Sequence, residues 1–98
     1  MSRSTASQSK HDARVRIEAQ NYLSKGYEVQ ADIPNWPKPE VINGYRPDVI
    51  AKKGRYISIV EVETPDSVDT PRDLAQQKAF KEWADRSEAR HFRRVIAE

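Results

Sequence analysis

Tyr45-Arg-Pro-Asp-Val-Ile-Ala-Lys-Lys-Gly-Arg-Tyr-Ile-Ser-Ile-Val-Glu-Val-Glu63 is the stretch that decides the fold. It reads as two short strands, Tyr45 to Lys52 and Arg55 to Glu63. A tight turn at Lys53-Gly54 joins them, with glycine supplying the backbone freedom. The second run is rich in β-branched and aromatic residues, which favour strands. Side chains alternate across a strand, so Ile57, Ile59, Glu61 and Glu63 share one face and Tyr56, Ser58, Val60 and Val62 the other. On the first strand Asp48 and Ile50 share a face. Two carboxylates at the end of an apolar strand, beside an aspartate on its neighbour, place like charges together where burial raises their cost. A divalent cation offsets that cost, and hard oxygen ligands suit Mg²⁺ and Mn²⁺.

Before this hairpin, Tyr27 to Ile33 reads as a further strand with Tyr27, Val29, Ala31 and Ile33 on one face. The proline-rich run Pro34 to Pro39 cannot be regular structure. Trp36 within it either stacks on a base or covers a core edge, and the second is the commoner role of such a residue. Val41 and Ile42 lead through Asn43-Gly44 into the hairpin. Lys10 to Lys25 reads as a helix stopped by Gly26, with Val15, Ala19, Tyr22 and Leu23 as its apolar stripe. Glu18 lies on or beside that stripe. It either points over the sheet towards the acidic cluster or sits at the stripe's edge, bonded to Arg14 or solvated. His11, two turns earlier on the same side, reads as a surface residue at the helix start rather than a ligand. Residues 1–9 are rich in Ser, Thr and Gln without apolar pattern and read as a disordered tail, leaving 10–98 as one domain.

After Glu63 comes a turn at Thr64-Pro65-Asp66-Ser67. A helix follows, with Thr70 or Asp69 as N-cap, Pro71 in the first helical position and Asp73 in a capping-box place. It runs to about Arg86, with Ala75, Ala79, Phe80 and Trp83 on its apolar side. Gln76 lies inside that stripe; it either positions a phosphate or bonds to backbone at the core edge. Lys78 and Lys81 face away, as a solvated face or as phosphate contacts. Arg90 to Ala97 alternates as a last strand. The order is αβββαβ, an α/β fold with a small mixed sheet flanked by two helices.

Composition limits what such a domain can be. With 98 residues, 37% apolar and 33% charged, its core is thin, and a homodimer interface would add to it. There are no cysteines, so disulfides, zinc–thiolate sites and a cysteine nucleophile are excluded. No apolar run matches a membrane span or signal segment, and a cytoplasmic location is expected. The net charge of +2 says little, but its distribution says more. Acids gather at Glu61, Glu63, Asp66, Asp69 and Asp73 within a basic surround, which suits a metal-dependent site acting on a polyanion, or is an ordinary mixed surface.

The order of elements and the carboxylate spacing resemble the PD-(D/E)xK nuclease superfamily, which takes in restriction endonucleases and archaeal Holliday-junction resolvases. The residues carrying the likeness are Pro47-Asp48 and then Glu61-Val62-Glu63 on the next strand, over nearly the whole chain after the tail. The resemblance implies a restriction-endonuclease-like core and a Mg²⁺- or Mn²⁺-dependent endonuclease acting on nucleic acid, DNA first. It makes Asp48, Glu61 and the Val62 backbone carbonyl metal ligands, with Glu18 as the first-helix carboxylate of several branches. Asp48, Glu61 and Glu63 become the catalytic set, and Gln76, Lys78 and Arg46 position phosphate. Gln76-x-x-x-Phe80 is similar to a Gln-x-x-x-Tyr motif of some branches. Glu63 departs from the pattern, which usually has lysine there. That departure is the best support for the alternative: a non-catalytic nucleic-acid- or protein-binding domain of the same fold, or a subunit of a larger nuclease.

Overall fold

A computed structural model describes residues 4–98; the first three residues of the expected tail lie outside the described ones. The elements are α1 (Thr5–Ser24), β1 (Glu28–Ala31), β2 (Val49–Lys53), β3 (Tyr56–Glu63), α2 (Pro71–Asp85) and β4 (Arg90–Ile96). The strands form one sheet in the order β1-β2-β3-β4. The pairs β1/β2 and β2/β3 are antiparallel, and β3/β4 is parallel across the α2 connection. This is the mixed α/β sheet with flanking helices that the pattern predicts.

Helix α1 starts well before Lys10, which corrects the expected tail. Ser4 takes an extended conformation and its hydroxyl accepts the Ser7 N–H at 3.1 Å, a working N-cap. The first turn is polar and exposed, so no apolar period announces it. The helix stops as expected at Gly26, whose φ is 86°. The Tyr27 N–H bonds to the Tyr22 carbonyl at 3.2 Å and the Gly26 N–H to the Leu23 carbonyl at 3.1 Å, a Schellman pair.

The strands are shorter than their sequence runs. β1 ends at Ala31 because Pro34 and Pro37 divert the chain, and the Ala31 N–H bonds to the Pro37 carbonyl at 2.9 Å. β2 begins at Val49 rather than Tyr45. Ahead of it, Ile42 and Tyr45 form an isolated bridge around Asn43-Gly44, both with positive φ, and Pro47 has no N–H to give to β3. The hairpin turn is Gly54-Arg55, one residue later than expected, because Lys53 pairs with Tyr56.

The two faces of the sheet carry separate apolar clusters. Val49, Val60, Val62, Ala31, Ile33 and Ala97 pack with Val15 and Ala19 of α1, and Trp36 covers the edge of that cluster. Ile50, Ile59 and Ile42 pack with Phe80 and Trp83 of α2. The alternation read along 56–63 therefore holds. The helix stripes are narrower than expected, with Leu23 and Ala75 exposed. Polar residues share the buried sides: His11 and Glu18 beside Val15 and Ala19 on α1, Asp73 and Gln76 beside Phe80 and Trp83 on α2.

Candidate active site

The pairing that builds the core also builds the site. Val49 pairs with Val60, so Asp48 arrives opposite Glu61 as the chain enters β2. The Asp48 N–H bonds to the Val60 carbonyl at 3.1 Å, and Asp48 Oδ2 accepts the Val62 N–H at 2.8 Å. Glu61 and Glu63 continue the Ile57–Ile59 face past the end of the α2-side core. Asp48, Glu61 and Glu63 are 8%, 4% and 3% exposed, so three carboxyl groups are withdrawn from solvent in one place. They line a cavity of about 710 Å³ that also takes in His11, Asp73 and Gln76.

Burial and then the neighbouring Asp48 and Glu63 charges push the Glu61 carboxyl up to about 11, so it holds a proton at neutral pH. Its Oε1 is buried without a hydrogen-bond partner. Glu63 Oε2 accepts the Ser67 hydroxyl at 2.6 Å. Asp73 is pushed up by burial, but Arg94 and the Asp69 N–H outweigh that and hold it below the ordinary carboxylate range. Arg94 Nη2 lies 2.6 Å from Asp73 Oδ2 and ties α2 to β4. Asp66 is likewise held low, by the Thr64 hydroxyl and then by the Ser7 side chain, which links the loop after β3 to the first turn of α1.

The structure does not bring Glu18 to this cluster, and its expected role as a metal ligand is corrected here. Its oxygens are engaged by Arg14 Nε at 2.9 Å and by Arg93 Nη2 at 2.5 Å. Burial raises the Glu18 carboxyl, and the two guanidiniums more than offset it, leaving it lowered. Arg93 and Arg94 point to opposite faces of β4, so one serves Glu18 on the α1 side and the other Asp73 on the α2 side. The residue of α1 that does reach the site is His11, seven positions before Glu18. It is buried, with Nε2 at 3.1 Å from Asp48 Oδ1 and Nδ1 at 2.9 Å from Asp12 Oδ1. The expectation of a surface histidine is therefore wrong. Its i, i+4, i+7 relation to Val15 and Glu18 was the available signal.

Gln76 is buried and lines the cavity. Arg46 is exposed at the rim and its guanidinium donates to the Pro39 carbonyl. Lys78 is exposed and does not line the cavity, so the structure leaves it outside the site. Arg72, which stands over the Tyr45 ring at 5.8 Å, is a second basic residue at the rim that sequence reading did not single out.

Among the described residues, no three His, Asp or Glu side chains are already arranged to hold a metal ion. The chemistry of the group fits a hard divalent cation all the same: three buried carboxyl groups in one place and one carboxyl oxygen without a partner. No helix of the described residues is long and apolar enough to cross a membrane.

A mixed sheet between two helices, with acids gathered where β2 begins and β3 ends, defines a restriction-endonuclease-like α/β protein. The chain belongs to the REase_AHJR-like family, whose model matches residues 1–86, every element except β4. Comparison with curated proteins and with solved structures gives no match.

Proposed function

We propose that this protein is a Mg²⁺- or Mn²⁺-dependent endonuclease of the PD-(D/E)xK type, acting on DNA, with Glu63 in the place usually held by lysine. The observation that carries this is the meeting of Asp48, Glu61 and Glu63 at the end of β3, with a buried Glu61 oxygen left unsatisfied. Membership of a restriction-endonuclease-like family supports it.

In this assignment Asp48 and Glu61 hold the cation, with the Val62 backbone carbonyl beside them. When bound, a cation there would supply a more acidic water and offset charge developing on the scissile phosphate. Glu61 would have to give up its proton to serve as a ligand, so binding and deprotonation would be linked. The Val62 N–H fixes the Asp48 carboxylate from behind. Glu63, oriented by the Ser67 hydroxyl, directs the attacking water or accepts its proton in place of a lysine. Gln76 on the cavity wall and Arg46 at the rim hold phosphate oxygens. The chain from the start of α1 onward acts as one nuclease-like domain, and a homodimer supplies two sites for cutting two strands.

The second reading is a binding domain of the same fold without catalysis, and Glu63 is the observation that favours it. Asp48→Asn keeps an acceptor for the Val62 N–H while removing the charge. Asp48→Asn and Glu61→Gln are expected to melt as folded proteins and to lose cleavage. Full activity in either folded variant sinks the proposal.

A further inference from the structure

Resting on the nuclease reading above, we propose that Arg72 is a substrate-binding residue that grips a phosphate flanking the scissile one, with Tyr45 as its positioning residue. The fold gives Arg72 a fixed place. Thr70 caps α2, its hydroxyl accepting the Asp73 N–H at 3.3 Å, and Pro71 takes the first helical position. Arg72 follows at once, so the turn that carries Asp73 to the cavity wall also sets Arg72 at the rim.

Charge shows what the rim must supply. Asp32, Asp48, Glu61, Glu63, Asp66 and Asp73 line the cavity, and among the described residues lining it Arg46 and Arg72 are the ones with a fixed positive charge. A phosphodiester is an anion, and a wall of carboxyl groups offers it no attraction until cations offset them. Arg72 is exposed, with its guanidinium over the Tyr45 ring at 5.8 Å from the centroid. Such a contact engages the flat face of the guanidinium and leaves its in-plane N–H donors to meet phosphate oxygens as a fork. Tyr45 is itself held: its ring meets Phe80 edge-on with centroids 6.4 Å apart, and its backbone bridges to Ile42. The α2-side core therefore ends in a ring that carries a cation at the cavity mouth. Arg46, next to Tyr45 in the chain, is likewise tethered, through the Pro39 carbonyl. Tethering two long side chains before the substrate arrives removes part of the rotamer entropy that binding otherwise takes from them.

The competing account is an exposed arginine that only shields the Tyr45 ring, so that its loss touches stability and not DNA. Fluorescence anisotropy of labelled duplex, junction and single-stranded DNAs with the full chain, in EDTA to prevent cutting, separates the two. Arg72→Ala is expected to stay folded and to bind the best of these DNAs about tenfold more weakly. It is also expected to lower the slope of log K against log salt by about 1. Arg72→Lys keeps the charge, and with it the slope, but loses the fork, and is expected to bind with intermediate affinity. Tyr45→Leu keeps apolar bulk against Phe80 and removes the platform; it is expected to weaken binding in the wild-type chain and to add little in Arg72→Ala. Full additivity of those two substitutions overturns the part given to Tyr45. A scan of the same DNA with one neutral methylphosphonate linkage at a time locates the contact. One linkage that matters to wild type is expected to become indifferent in Arg72→Ala. Wild-type affinity and slope in Arg72→Ala, or a scan unchanged from wild type, overturns the proposal. If the wild-type chain binds and the contact maps to Arg72 but no DNA is cut when metal is supplied, the contact stands and the nuclease reading falls. If wild type cuts and Arg72→Ala binds as wild type does, the nuclease reading stands and the contact falls. If wild type binds none of the DNAs, both fall.

Discussion

Glu61 makes the metal-free protein less stable as pH rises, and the effect is large enough to see in a melting curve. The group is 4% exposed, and its carboxyl is pushed from 4.5 up to about 11. Between those values the unfolded chain has released the proton and the folded chain retains it, so stability falls with increasing pH. The slope is about 1.4 kcal/mol per pH unit while Glu61 stays protonated. From pH 6 to pH 8 the loss is therefore about 3 kcal/mol, or roughly 10–20 °C in Tm for a domain of this size. Glu61→Gln keeps the shape of the protonated side chain and cannot ionise. The assay is thermal unfolding in EDTA at pH 6, 7 and 8, for wild type and for this variant. Wild type is expected to lose stability across the series, and Glu61→Gln is expected to lose much less and to melt higher at pH 8. The same slope in both proteins, or a wild-type Tm that is flat or rises with pH, would refute the assignment of the buried proton to Glu61.

Three further outcomes can be checked by similar means. Phe80 is fully buried and packs on Phe92 with ring centroids 5.5 Å apart, so Phe80→Ala should cost about 3–5 kcal/mol in urea unfolding without altering metal affinity of the folded fraction. Asp73→Ala removes the buried partner of the half-buried Arg94 and the acceptor of the Asp69 N–H, and should destabilise by about 2 kcal/mol, read from the urea midpoint. Glu18 is held below its ordinary value of 4.5, so it contributes stability above that pH that is lost as pH falls through the lowered folded value; Glu18→Gln should flatten the acid limb of the stability curve.

The fold was legible because the strand pattern is unambiguous. The alternation from Ile57 to Glu63 fixes which side chains meet each helix, and the Arg93/Arg94 alternation on β4 follows it. The acidic trio was legible for the same reason, since Asp48, Glu61 and Glu63 lie on strand positions whose faces are set by period alone. The helices were harder. The first turn of α1 is polar, and what starts it is the Ser4 cap, a contact over three residues that hydropathy does not register. His11 and Glu18 lie on the same buried side of α1, and only tertiary position distinguishes them. Glu18 sits within reach of Arg93, 75 residues away, whereas His11 sits over Asp48. The apolar period of α2 already turned Lys78 away from the core, and the structure has it exposed outside the cavity, whereas Gln76, two residues earlier, lines the cavity.

The most direct test of a nuclease is cleavage itself. Labelled duplex, junction, flap and single-stranded DNAs are incubated with the wild-type chain in Mg²⁺, in Mn²⁺ and in EDTA, with Asp48→Asn alongside. The predicted result is cutting of at least one substrate that requires the metal and is absent in Asp48→Asn. No cutting of any substrate, together with no metal binding by calorimetry, would contradict it and would leave a binding domain in which Glu63 marks the loss of catalysis.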